Sequence, residues 1–129
     1  MVVRARLCDD ERMVTVLIVD DHPGFRDTAR RMLERDGFDV VGEAADGASG
    51  LTLARELDPD VILLDVALPD GSGFDVAERL RIEGPDVVLV STRERADLGP
   101  RLEAAPALGF IQKDELTSDA VRSLLTKKR

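Results

Sequence analysis

The chain has 129 residues, enough for one domain with a real core and too few for two comfortable ones. An apolar fraction of 43% fits a folded chain, and no apolar run approaches the roughly 18 residues that a membrane helix needs. The net charge of −8 argues against a nucleic-acid surface, which wants clustered Lys and Arg with aromatics to stack on bases.

The opening stretch, MVVRARLCDDERM, has basic residues but no long apolar run and no small-residue cleavage site. Residues 1–12 therefore read as a flexible extension rather than a secretory leader. The single cysteine, Cys8, excludes a disulfide framework and a cysteine metal cluster. Together these features predict a cytoplasmic protein with no membrane attachment.

A first strand runs over Val14 to Val19 and ends abruptly in Asp20 and Asp21. Phe25, Ala29, Met32 and Leu33 then recur at helical spacing, and Gly37 stands where a left-handed cap belongs. A second strand is expected over Phe38 to Val41, and a helix over Ala48 to Leu57 that Asp58-Pro59 closes. The third strand, Val61 to Leu64, meets Asp65 at its end. A third helix, Phe74 to Ile82, turns Phe74, Ala77 and Leu80 inward and stops at Gly84-Pro85. The fourth strand, Val87 to Val90, leads to Ser91 and a long loop. Gly99-Pro100 and Pro106 leave room only for a short helix near Arg101 to Ala105. A weak strand at Phe110-Ile111 precedes Lys113, and the last helix opens at Thr117 or Ser118 and buries Val121, Leu124 and Leu125. The basic end, residues 127–129, reads as solvated. Five apolar, Val- and Ile-rich strands alternating with five helices mean βαβ units and an α/β fold with a parallel sheet covered on both faces.

Strands of an open parallel sheet end at one edge, and ligands bind there. If the first and third strands are neighbours, Asp20, Asp21 and Asp65 converge in one crevice. Uncompensated, these like charges would raise one another's pKa values, and a hard cation such as Mg²⁺ is the usual remedy. Asp21 also has a plain structural alternative as the cap of the helix that starts at Pro23. Ser91 and Lys113 follow the fourth and fifth strands, where a hydroxyl and an ammonium could hold the oxygens of a phosphoryl group on Asp65. His22 is discounted as a ligand, because no second His and no Cys lies near it in sequence.

The combination IVDDHPGFRD, VILLDVALPDGSG, VLVST and GFIQKDEL resembles the receiver domain of bacterial two-component response regulators, over residues 13–126. Within that family, DDHP with Lys113-Asp114 is similar to the branch that carries helix-turn-helix output domains. The resemblance implies a doubly wound five-stranded sheet of order 2-1-3-4-5. It implies that Asp65 accepts a phosphoryl group from a sensor histidine kinase or a phosphotransfer protein. Asp21 and Asp65 would bind Mg²⁺, with Asp20 acting through water and the backbone carbonyl of Ala67 completing the set. Ser91 would be the hydroxyl that moves toward the phosphate, Lys113 the lysine that binds it, and Phe110 the aromatic that rotates with it. Such a domain is a signalling device, not an enzyme, and assists only its own phosphorylation and dephosphorylation. Self-association and the downstream partner are left open, and no nucleic acid is expected to bind through these residues.

Departures from the family pattern are Thr92, where a small residue is usual, Pro106, where Gly is usual, and the absence of Pro after Lys113. With Gly99-Pro100 they fall around the fourth helix, so the alternative reading is a receiver-like module that binds partners without phosphorylation. No output segment is expected within these residues, whether the receiver stands alone or belongs to a longer regulator. A haloacid-dehalogenase-type phosphatase would need D-x-D after the first strand, a cap and more length. A nucleotide site at GSGFDV lacks the third glycine and follows the wrong strand.

Overall fold

The computed structural model describes residues 13–82 and 84–127. The expected N-terminal extension, Cys8 and the last two basic residues lie outside the described residues. Strands β1 (Thr15–Val19), β2 (Asp39–Ala44), β3 (Val61–Asp65), β4 (Asp86–Ser91) and β5 (Gly109–Gln112) alternate with helices α1 (Pro23–Arg35), α2 (Gly47–Leu57), α3 (Gly73–Leu80), α4 (Arg95–Leu98), α5 (Pro100–Ala104) and α6 (Ser118–Lys127). The five strands form one parallel sheet in the order β2-β1-β3-β4-β5, as expected. A two-residue hairpin, Ala67–Leu68 against Gly71–Ser72, lies between β3 and α3.

The strands are nearly continuous apolar runs because both faces are buried. On one face Leu17, Val19, Ile62, Leu64 and Leu89 pack beneath α2 and α3 through Ala54, Ala77 and Leu80. On the other, Val16, Ile18, Leu63, Val88 and Val90 pack beneath α1 and α6 through Ala29, Leu33 and Val121. Each such side chain removed from water contributes about 1.5–3 kcal/mol. Gly37 takes φ +97° just after α1, the left-handed conformation expected of it. Thr117 caps α6, its Oγ1 accepting from Ala120 N at 3.0 Å.

The observed elements differ from the predicted ones in three places. β2 runs on to Ala44, through Gly42 and Glu43 that no strand propensity would select. Tertiary pairing overrides propensity here: β1 registers with Ala44 across an irregularity at Val16/Leu17, and Glu43 is held by Arg26 and Arg30. α3 closes at Leu80, leaving Ile82 85% exposed instead of in the helix. The fourth helical segment is two short helices, so there are six among the described residues where five were expected. Gly99, at φ +73°, breaks the chain between α4 and α5, and Pro100 takes the first position of α5. α4 buries no side chain and α5 only Leu102.

One glycine ties the fold to the end of β3. A Cβ built on Gly73 would stand 2.1 Å from the carbonyl oxygen of Asp65. The N–H of Gly73 donates to Val66 O at 2.7 Å, so the start of α3 rests directly on the backbone that carries Asp65. Gly73→Ala is therefore expected to destabilise the protein by at least about 1–3 kcal/mol, a cost typical of overpacking, measured by urea unfolding.

Candidate metal and phosphoryl site

The C-terminal edge of the sheet gathers the charged residues. Asp20 follows β1, Asp65 ends β3, Ser91 ends β4 and Lys113 follows β5. Asp65 pairs with Val90, so Ser91 lies one residue beyond it, and Ser91 in turn pairs with Gln112, the residue before Lys113. Sheet register alone therefore brings these side chains to one edge.

Asp20 is fully buried and Asp65 nearly so, whereas the Asp21 side chain is 36% exposed. Lys113 Nζ lies 2.6 Å from Asp20 Oδ2 and 3.2 Å from Asp65 Oδ2, and 4.5 Å from the centre of the Phe25 ring. The ammonium is thus held between an aromatic face and two carboxylates. The Asp65 Oδ1 atom accepts the N–H of Ala67 at 3.1 Å. Burial is the main cause that pushes the Asp65 carboxyl above its ordinary value. The Asp20 charge adds to it, while the Ala67 N–H and Lys113 oppose it.

The backbone around β1 is fastened for the same purpose. Asp20 N donates to Ala44 O at 2.9 Å, and Arg26 donates to Asp20 O at 2.6 Å. The cap of α1 is His22, with no side-chain cap bond, so Asp21 does not perform the capping task that was its structural alternative. Asp70, in the hairpin turn, accepts the N–H groups of Gly47 and Ala48 at the start of α2, which holds its carboxyl below the usual range.

Whether a cation suits this site is answered by its excess of carboxylate oxygens. Asp21 Oδ1 is buried without a hydrogen-bond partner, and Asp20 Oδ2 meets Lys113 as an ion pair without hydrogen-bond alignment. Three carboxylates face one lysine, and ligand atoms of Asp20, Asp21, His22 and Asp65 all lie within 4.8 Å of one another. Hard oxygen donors in this excess suit Mg²⁺.

His22, discounted as a ligand from the sequence, stands among these carboxylates. Its Nδ1 lies 3.0 Å from Asp20 Oδ1, 3.2 Å from Asp21 Oδ1 and 4.0 Å from Asp65 Oδ2. Its adjacency to Asp20 and Asp21 in the chain is the sequence signal for this placement. The other expected participants sit at the margins. Ser91 is buried and its Oγ accepts from Arg93 N at 3.0 Å. Ala67 contributes an N–H rather than a visible carbonyl contact. Thr92 is exposed and lines a hollow with His22, Phe25, Lys113 and Asp114. Phe110 is half-buried beneath Arg95, whose guanidinium is 5.5 Å from the ring centre.

A five-stranded parallel sheet of this order with an acidic crevice at its C-terminal edge defines the receiver fold. The model of the response regulator receiver domain matches residues 16–125, and the chain belongs to that family. A Pseudomonas aeruginosa protein described as a transcriptional regulator is 46% identical over 109 residues, covering 83% of this chain and 53% of its own length. The nitrate/nitrite response regulator NarP of Escherichia coli is 41% identical over 115 residues, covering 84% of this chain and 53% of its own. The chain therefore spans about half the length of the curated relatives it matches. The solved receiver domain of NarL from Mycobacterium tuberculosis superposes with a TM-score of 0.78 at 35% identity, over 90% of this chain and 96% of that one. These names agree with the expected kinship to the branch with helix-turn-helix output. Among the described residues no helix is long and apolar enough to cross a membrane.

The raised pKa of Asp65 has a consequence for stability. The folded state holds that proton more tightly than the unfolded chain, so stability falls as pH rises from the ordinary carboxylate value through the raised one. In metal-free protein at neutral pH the ionised Asp65 is then a net cost. Asp65→Asn is expected to melt at a higher temperature than the wild type in EDTA at pH 7. The difference should shrink at pH 3, where both forms are neutral at this position.

Proposed function

We propose that this receiver accepts a phosphoryl group on Asp65 from a sensor histidine kinase or a phosphotransfer protein, in a reaction that requires Mg²⁺. The observation that carries the reading is the buried Asp65, flanked by Asp20 and contacted by Lys113 at 3.2 Å. Asp21, Asp65 and the Ala67 carbonyl would hold the ion, with Asp20 acting through water. Mg²⁺ would neutralise charge on the transferring phosphoryl oxygens. An Asp65 oxygen forms the new bond to phosphorus as the donor's histidine nitrogen leaves. The Ala67 N–H fixes Asp65 Oδ1, so the carboxylate is oriented before any donor arrives. Lys113 supplies a cation beside the acceptor oxygen, and Ser91 a hydroxyl at the next position along the edge.

The reading extends to signalling. Thin packing of α4 and α5 makes the stretch from Ser91 to Phe110 the region most easily displaced. A phosphoryl group that draws Ser91 inward would favour one of two arrangements there and shift their populations. The names of the relatives support a regulator of transcription as the larger setting, with the kinase as partner and the cytoplasm as compartment.

Incubation with a small phosphoryl donor and Mg²⁺ should give a base-labile phosphoprotein from the wild type. Asp65→Asn should give none, and Asp21→Asn at least about tenfold less, the effect of a weakened ion. Label persisting on Asp65→Asn would place the acceptor elsewhere.

Hydrogen exchange with and without beryllofluoride separates switching from mere binding. Residues 91–110 should show the larger changes in protection. Changes confined to the loops after β1 and β3 would favour the module that signals without phosphorylation.

A further inference from the structure

We propose that Glu43 and Arg26 are positioning residues for the acidic crevice: the Arg26 guanidinium, held by Glu43, fixes the Asp20–Asp21 backbone and so sets how tightly the crevice binds its divalent cation. This rests on the cation site of the proposed function and adds to it the support that reaches the carboxylates from β2.

The support starts with one extra residue. Val16 registers with Val40 but Leu17 registers with Gly42, so Val41 is an additional residue in β2. A slip of one residue turns every later side chain to the other face of a sheet, and bulges re-aim side chains in this way. Without the slip Glu43 would register with Val19, whose side chain packs on the α2 side. With it Glu43 registers with Ile18, whose side chain packs beneath α1. The bulge therefore delivers a carboxylate to the face where α1 presents Arg26 and Arg30.

The guanidinium of Arg26 then spans two partners. Its Nε donates to Glu43 Oε1 at 3.0 Å and its Nη1 to Asp20 O at 2.6 Å. The Arg26 side chain is 19% exposed and that of Glu43 26%, so salt and water screen the pair less than a surface one. On the other side of Asp20, its N–H donates to Ala44 O at 2.9 Å. Both peptide groups of Asp20 are thus fixed from β2, one directly and one through Arg26. The second of them carries Asp21, so its orientation sets where that carboxylate stands relative to Asp20 and Asp65. Groups that orient a ligand from behind govern metal affinity almost as the ligands do. Arg30 supplies the internal control. It shares Glu43, but its other bonds run to Glu34 and Val40 O, away from the loop after β1.

Charge alone and positioning predict opposite signs. By Coulomb's law, removing the Arg26 cation strengthens Mg²⁺ binding and removing the Glu43 anion weakens it. Positioning makes both removals weaken it, with Glu43 acting through Arg26.

Titration calorimetry of Mg²⁺ on the full chain separates the two, with thermal unfolding in EDTA to check the fold. Arg26→Met should weaken Mg²⁺ about tenfold or more, the usual cost of a lost orienting partner. Glu43→Met should weaken it as well, and the double variant should bind no more weakly than Arg26→Met alone. Arg30→Met also removes an ion pair to Glu43, yet should stay within about twofold of the wild type, as a site independent of the loop. Arg26→Lys keeps the charge without the planar fork that spans two partners, so it should weaken Mg²⁺ too, and it keeps the test in force if Arg26→Met does not fold. Unchanged or tighter binding in Arg26→Met, unchanged binding in Arg26→Lys, additive effects in the double variant, or equal weakening in Arg30→Met overturns the positioning role while leaving the cation site intact. A wild type that binds no Mg²⁺ overturns the cation site and this inference with it.

Discussion

Two buried carboxylates at the ends of adjacent strands are the constraint to which the other local features of the site answer. Asp20 and Asp65 are removed from water with one lysine ammonium to share, and Asp21 stands beside them. Burying like charges costs stability unless each is paired and hydrogen-bonded. The surroundings supply what they can. Lys113 bridges the two carboxylates, the Ala67 N–H holds one oxygen of Asp65, and the His22 N–H holds one of Asp20. The balance of charge is still negative, which is the electrostatic basis of the proposed cation site.

The sheet sustains this imbalance because the cost is concentrated and the gain is distributed. β1, β3 and β4 are buried on both faces over almost every residue, and helices cover them on both sides. Close approach does the positioning: α3 begins against the carbonyl of Asp65, where Gly73 leaves no room for a side chain. Arg26, reaching from α1 to both Asp20 O and Glu43, ties the loop after β1 to the end of β2. Asp65 and its neighbours therefore sit on rigid elements, as a site with small tolerance for misplacement requires.

Packing weakens in the segment that follows β4, alongside the site. α4 and α5 are short, separated by a glycine in a left-handed conformation, and anchored through Leu102. Surface contacts substitute for burial there, as Arg95 lies over Phe110 and Arg101 over Phe74 beside Asp75. Exposed contacts of this kind are individually weak. A rigid acidic crevice beside a lightly held segment meets the mechanical requirement of the proposed switch, in which the segment would change arrangement at little cost while the crevice stays in place.

Much of this was legible in the chain. Unbroken Val- and Ile-rich runs between amphipathic helices dictate a parallel sheet with both faces covered, and Asp20, Asp21 and Asp65 are conspicuous because each follows such a run. Gly37, Thr117 and the Gly99-Pro100 break announced themselves through local backbone chemistry, which acts on neighbours in sequence. What only the tertiary structure decided depends on residues distant in sequence. The extension of β2 through Gly42 and Glu43 follows from pairing with β1 and from two arginines on α1. That Lys113 settles on Asp20 as closely as on Asp65, and beneath Phe25, follows from strand order and side-chain reach. The direction of the His22 ring belongs to the same class. Its neighbours in the chain are carboxylates, but only the turn after β1, fixed by Asp20 and the start of α1, aims its nitrogen among them.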